Sequence, residues 1–239
     1  MEITAAALVG ASNPGQGACM TALNFVLSEQ AVYVVADTLV TYEHEPAYFT
    51  TKVFAVPHWN GLICGRGSHG LILDWVMRAF GSTLAVDLAQ VDAFAPDIMR
   101  DIHCSRPEEE QINCTTSIYH LAFDPVQDRF VGFAYRSTND FNSEPLEYGI
   151  HLKPATQTDV PLGVFPDDFV SLMKQQRKEQ DELPNETRCF IGGQVLSWML
   201  ERVEQSDGPA RVRTTILPAF EWDDFGDSYV RCLDGLAAP

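Results

Sequence analysis

Short apolar runs separated by turn-forming residues occupy the first part of the chain and predict β-strands. Residues 21–27 and 31–36 are two such runs, joined by a polar break at 28–30, so they predict a hairpin whose second strand is apolar on both faces. Residues 52–56 and 61–65 predict a second hairpin. The small, turn-prone stretch 11–18 and the stretch 41–50, rich in acids and aromatics, are predicted to be loops.

A helical periodicity replaces this pattern after residue 66. Residues 71–80 carry apolar side chains on one broad face, as expected for a helix packed on a sheet. Residues 86–103 predict a second helix, because apolar side chains recur there every three or four positions, at Leu88, Val91, Phe94, Ile98 and Ile102.

The period returns to two in the middle of the chain. It predicts strands over residues 117–123, 129–135 and 146–152. The last part of the chain predicts two helices, near 167–180 and 190–205, followed by strands near 212–217 and 228–233.

Helices that come in groups, rather than alternating with strands, argue against a parallel βαβ fold. The predicted order is four strands, two helices, three strands, two helices and two strands. It suits two stacked antiparallel sheets with a helix pair on each outer face, which is an α+β fold of the four-layer αββα sandwich type. We predict a single domain over residues 21–239, preceded by an extension or propeptide-like segment at 1–20.

The charge of the chain limits the classes of binding partner. The 239 residues carry 33 acidic and 16 basic side chains, a formal net charge of −17. Such a surface repels phosphate backbones and anionic lipids, so we expect neither nucleic acid nor membrane as a partner. The first residues contain an acid and only a short apolar run, which does not fit an export signal, and we expect a cytoplasmic protein.

The cysteines and histidines do not suggest a metal site. Six cysteines are scattered without a C-x-x-C pair, and six histidines are dispersed without H-x-x-x-H spacing. We therefore expect reduced, mostly buried thiols, no metal and no cofactor.

Four short motifs in the first hairpins and the turn that follows them occur in an order and spacing that can be compared with a known family. Thr21 opens the first strand, Ala36-Asp37-Thr38 ends the second, Lys52-Val53 opens the third, and Gly65-Arg66-Gly67-Ser68 joins the fourth to a helix. In this order and spacing the motifs resemble those of proteasome β-type subunits and the bacterial HslV peptidase, members of the Ntn-hydrolase superfamily. The clear similarity covers about residues 20–80.

This resemblance implies a threonine hydrolase. Thr21 would be the nucleophile, activated by its own α-amine once it is an N-terminal residue. Asp37 and Lys52 would form a charge pair that lowers neighbouring pKa values, and the Gly67 N–H would stabilise the oxyanion. It further implies a peptide or other amide substrate, and a homo-oligomer or an assembly with related subunits.

Two features leave alternatives open. Met20 stands before Thr21, where self-processing relatives usually have glycine; removal of residues 1–20, or translation starting at Met20, would expose Thr21. Cys19 is a second, poorly spaced candidate nucleophile. The competing interpretation is a non-catalytic subunit that keeps the fold as an assembly or binding module. Each site residue also has a structural role to weigh: Thr21 as a strand opener, Asp37 as a turn cap, Lys52 as a surface lysine and Gly67 as a turn glycine.

Overall fold

The computed structural model describes residues 22–42, 44–82, 85, 87–157, 162–203 and 211–237. Its strands are β1 (Leu23–Leu27), β2 (Ala31–Asp37), β3 (Leu39–Tyr42), β4 (Glu45–Phe49), β5 (Val53–Val56), β6 (Gly61–Arg66), β7 (Ser117–Asp124), β8 (Arg129–Arg136), β9 (Glu144–Pro145), β10 (Gly149–Lys153), β11 (Gln194–Val203) and β12 (Arg211–Glu221). Its α-helices are α1 (His69–Ser82), α2 (Leu88–Asp92), α3 (Ala95–Cys104), α4 (Glu108–Asn113), α5 (Asp167–Asp181) and α6 (Phe225–Ala237).

The strands form two five-stranded sheets and a separate hairpin. The first sheet has the order β10-β1-β2-β11-β12, the second has the order β5-β6-β7-β8-β9, and β3 pairs with β4. Neighbouring strands are antiparallel throughout. The fold is therefore of the α+β class, as the grouping of helices and strands predicted.

Three clusters of buried side chains account for this arrangement. One contains side chains from both five-stranded sheets, among them Phe25 of β1 and Tyr119 of β7, whose ring centroids are 5.2 Å apart. A second joins α1, α2 and α3 to the opposite face of β6, β7 and β8 and includes the fully buried Trp75. The third joins α5 to the opposite face of β1 and β2. Since burial of apolar area is the main stabilising term, these clusters set how the elements pack.

A buried amide pair fixes α5 against the first sheet. The Asn24 side chain donates to the Gln176 carbonyl at 2.8 Å, and the Gln176 amide donates back at 2.9 Å. Asn24 also accepts the backbone N–H of Lys153 at 3.1 Å. These bonds satisfy buried polar groups and join β1, β10 and α5 next to the first residues of β1.

Several predicted elements were wrong. The helix predicted near 190–205 is the strand β11, which lies between β2 and β12 and has buried side chains on both faces. The strand predicted near 228–233 lies within α6. The loop predicted over 41–50 includes β4 and the end of β3. The single helix predicted over 86–103 is divided at Ala93 and Phe94 into α2 and α3.

The remaining predicted strands and the helices near 71–80 and 167–180 are present, with bounds shifted by a few residues. The loop predicted over 11–18, the extension 1–20 and Thr21 lie outside the described residues. Within the described ranges, none of the helices has both the length and the apolar character needed to cross a membrane.

Candidate functional site

Asp37 is the last residue of β2, and its carboxylate collects donors from three separate parts of the chain. Oδ1 accepts the Lys52 ammonium at 2.7 Å and the backbone N–H of Ala22 at 3.1 Å. Oδ2 accepts the backbone N–H of Gly192 at 3.1 Å. This carboxylate therefore holds the start of β1, the start of β5 and the turn before β11 at one point.

The electrostatics of this carboxylate are set by opposing influences. Burial raises the pKa of Asp37 above its ordinary value, while the Lys52 ammonium and the two backbone N–H groups act to lower it. Donors directed at both carboxylate oxygens favour the ionised form next to the ammonium. The pair is thus a fixed charge arrangement inside the protein rather than a solvated surface contact.

Lys52 comes directly before β5, and its side chain is buried rather than exposed. Its ammonium also donates to the Leu39 carbonyl at 2.6 Å, while its own carbonyl accepts the Gly65 N–H at 3.3 Å. These contacts leave its charge close to the end of β2. The surface-lysine interpretation is therefore wrong.

Gly67 lies in the turn between β6 and α1, with a positive φ of 102°. A Cβ at this position would be 2.3 Å from the Thr115 carbonyl oxygen and 2.6 Å from the Thr116 Cα. Only glycine fits there without a backbone shift. Ser68, the next residue, accepts the Leu71 N–H at 3.1 Å and so caps the start of α1.

Two further groups near this pair were not predicted. His69 lies at the start of α1, its Nδ1 2.8 Å from the Tyr48 hydroxyl; burial lowers its pKa, and so does the positive charge of Lys52. Cys189 is a buried thiol whose pKa is raised to about 12, first by burial and then by the charge of Asp37. His69 directly follows the Gly65–Ser68 motif, which could have directed attention to it, whereas none of the four sequence motifs includes Cys189.

Gly192 and Gly193 also belong to this region. Gly193 has φ 77°, and a Cβ on it would be 2.4 Å from the Thr38 Oγ1, which accepts the Gln194 N–H at 2.8 Å. The glycine pair therefore allows the turn before β11 to approach Asp37 and Thr38 closely. The sequence alone does not indicate this role, since the position of the pair before β11 depends on tertiary pairing.

The structure thus brings Asp37 and Lys52 into contact and places the β6–α1 turn, with Gly67, beside the strand that Lys52 precedes. Thr21 and Cys19 lie outside the described residues; Thr21 is joined by its peptide bond to Ala22, whose N–H Asp37 accepts. In the described part of the chain, no group of three or more His, Cys, Asp or Glu residues is arranged to hold a metal ion.

Comparison with known proteins adds no family. No protein-family model matches the chain, and no curated protein sequence matches it.

Proposed function

We propose that this chain is an N-terminal-threonine hydrolase of the proteasome and HslV type, and that Thr21, once it is the first residue, cleaves peptide or other amide bonds. The observation that carries this proposal is the Asp37 carboxylate, which binds Lys52 and also the N–H of the residue that follows Thr21. An aspartate at a solvent-exposed strand end would need neither the contact with lysine nor the contact with a backbone N–H.

The proposed fold is a four-layer αββα sandwich. It is supported by the three side-chain clusters, because one lies between the two sheets and each of the others joins helices to an opposite sheet face. The antiparallel pairing of β1 with β2 and of β5 with β6 agrees with it.

The proposed chemistry needs only this chain and water. The free α-amine of Thr21 takes the hydroxyl proton as Oγ attacks the substrate carbonyl carbon. The positive charge of Lys52 favours the neutral amine and the developing alkoxide, and Asp37 holds Lys52 in place. The Gly67 N–H is the proposed oxyanion donor. The C–N bond then breaks, the leaving amine takes the proton back, and water hydrolyses the Thr21 ester to release the acid.

The test is a chain whose first residue is Thr21, released from a removable N-terminal fusion and verified by intact mass. It is incubated with an electrophile selective for N-terminal threonine and, separately, with a library of amide substrates. Labelling at Thr21 and turnover that are retained in Thr21→Ser and lost in Thr21→Ala support the proposal. A folded, Thr21-initiated chain with no adduct and no turnover overturns it.

The second candidate is a non-catalytic subunit of a larger assembly. It is favoured by Met20, which stands where self-processing relatives usually have glycine. In that case Thr21 stays internal, its nitrogen is an amide and has no basicity, and the Asp37–Lys52 pair serves the fold. Purification of the protein from its source with residues 1–20 attached, within an assembly of related subunits measured by native mass spectrometry, would support this candidate.

A further inference from the structure

Two arginines face the space between the two five-stranded sheets. Side chains alternate along a strand, so Arg66 faces the same side of β6 as Leu62 and Cys64, which belong to the cluster between the sheets. Arg136 faces that side of β8 in the same way, and its guanidinium lies 5.9 Å from the centre of the Tyr119 ring. The strand register places both arginines opposite Ser117 of β7, one on each side.

Lys153 approaches from the other sheet. His151, two residues earlier in β10, stacks on Phe25 with ring centroids 4.5 Å apart, and Phe25 belongs to the cluster between the sheets. Lys153 follows the same alternation and is paired in register with Leu23, the first residue of β1. The three cations, Arg66, Arg136 and Lys153, therefore converge at one end of this space; we call them the basic cluster.

The charge of the basic cluster is not fully matched. Arg136 is paired with Glu144, but over the described ranges no carboxylate lies within ion-pair distance of Arg66 or Lys153. Burial lowers the pKa of Lys153, and the charges of Arg66 and Arg136 lower it further. In a chain with a formal net charge of −17, two partly buried cations without an ion-pair partner among the described residues are unexpected.

The basic cluster lies at the same end of the sheets as the Asp37–Lys52 pair. Arg66 directly follows Gly65, whose N–H donates to the Lys52 carbonyl at 3.3 Å. The charges of Asp37, Arg66 and Lys52 all act on the Cys189 thiol. Leu23, the register partner of Lys153, directly follows Ala22, whose N–H Asp37 accepts.

We propose that Arg66 and Lys153, supported by Arg136, form a binding site for the carboxylate of an acidic substrate held beside the candidate active site. Its identification as a substrate site rests on the proposed function. Arginine binds a carboxylate through two parallel N–H donors, and lysine adds a point charge. Amide substrates carry such a group on aspartate and glutamate side chains.

The test uses the full chain and two blocked peptides, acetyl-Ala-Glu-Ala-amide and acetyl-Ala-Gln-Ala-amide, with binding measured by calorimetry. Inorganic phosphate is titrated separately, because it shares the anionic chemistry. We expect the Glu peptide to bind at least about tenfold more tightly than the Gln peptide. Arg66→Gln and Lys153→Met should each weaken binding of the Glu peptide about tenfold and leave that of the Gln peptide unchanged.

Arg78→Gln on α1 and Lys178→Met on α5 are the matched controls, since both residues are exposed and lie outside the cluster. They should bind the Glu peptide like the unaltered chain. A melting curve for each variant verifies that it is folded.

Equal affinity for the two peptides overturns the inference. Tight phosphate binding without discrimination between the peptides also overturns it, because the site would then accept a free anion rather than a substrate side chain. Glu-selective binding by a Thr21-initiated chain that hydrolyses nothing leaves the carboxylate site standing and removes the proposed function. Hydrolysis of both peptides at equal rates supports the proposed function and overturns the carboxylate site.

Discussion

The Lys52 ammonium lies 2.7 Å from the Asp37 carboxylate, with side chains 4% and 0% exposed, respectively. Breaking a buried ion pair leaves one uncompensated charge in the interior. We expect Lys52→Met to lower the free energy of unfolding by about 3–5 kcal/mol, measured by urea denaturation. The double variant Asp37→Asn/Lys52→Met should lose less than the sum of the single losses, by at least about 1 kcal/mol.

The control for this pair is Arg213→Gln, which removes the Arg213–Glu201 contact between β12 and β11, where the arginine is largely exposed. It should cost less than about 1 kcal/mol, because solvent screens exposed pairs. Strictly additive losses in the Asp37 and Lys52 variants would contradict the assigned coupling.

Gly67→Ala tests the turn between β6 and α1. The added Cβ meets the Thr115 carbonyl oxygen at 2.3 Å, and φ is 102°, so we expect a loss of about 2 kcal/mol or more in the free energy of unfolding. Gly81→Ala is the matched control, because it lies in α1 with nothing within 4 Å of its added Cβ. That variant should gain up to about 1 kcal/mol. Similar effects at the two positions would count against a steric need for glycine at Gly67.

His120 gives the fold an acid sensitivity. It is fully buried, its Nε2 accepts the Trp75 indole N–H at 2.8 Å, and burial lowers its pKa from 6.5 to about 3. Between those values the unfolded state binds the extra proton, so stability falls as the pH falls. Denaturation at pH 7 and pH 4.5 should show a loss of about 2.5 kcal/mol from this residue.

His120→Gln keeps an acceptor for Trp75 and should remove that part of the pH dependence. His58→Gln, at an exposed histidine, should leave it in place. An unchanged pH profile in His120→Gln would assign the acid sensitivity to other groups.

Lys153→Met should stabilise the protein although it removes a charged side chain. The lysine is partly buried near Arg66 and Arg136, so its removal relieves both desolvation and repulsion. We expect a gain of about 0.5–1 kcal/mol in the free energy of unfolding. Added salt should reduce this gain, because it screens the repulsion in the unaltered chain. A loss of stability at every salt concentration would show that Lys153 has a structural partner instead.

The apolar runs and turn residues of the sequence predicted those strands whose bounds depend on neighbouring residues alone. The apolar run that became β2 has turn residues on both sides, and Lys52 and Asp37 occupy strand ends that the same runs define. β11 was misread as a helix because Leu196, Met199 and Leu200 favour helices, whereas pairing with β2 and β12 on both sides decides the outcome. Part of α6 was predicted to be a strand, because Tyr229 and Val230 favour strands.

The contacts of the candidate site were also predicted only in part. The Asp37–Lys52 contact joins the end of β2 to the residue before β5, 15 positions along the chain, and the resemblance to proteasome β-type subunits implied it. Gly192 reaches Asp37 from 155 positions away, and Lys153 approaches Arg66 from another sheet. A single sequence carries no sign of such meetings, because they depend on how sheets stack.

The three hydrogen-bond donors to Asp37 become available at different times while the chain is synthesised. Ala22 and Lys52 are available early, but Gly192 exists only after most of the chain has been translated. A growing chain can therefore form the first hairpins without completing the donor set of this carboxylate. The charge arrangement next to Ala22 is complete only when the fold around it is nearly complete, which couples the formation of the candidate site to the folding of segments far apart in the sequence.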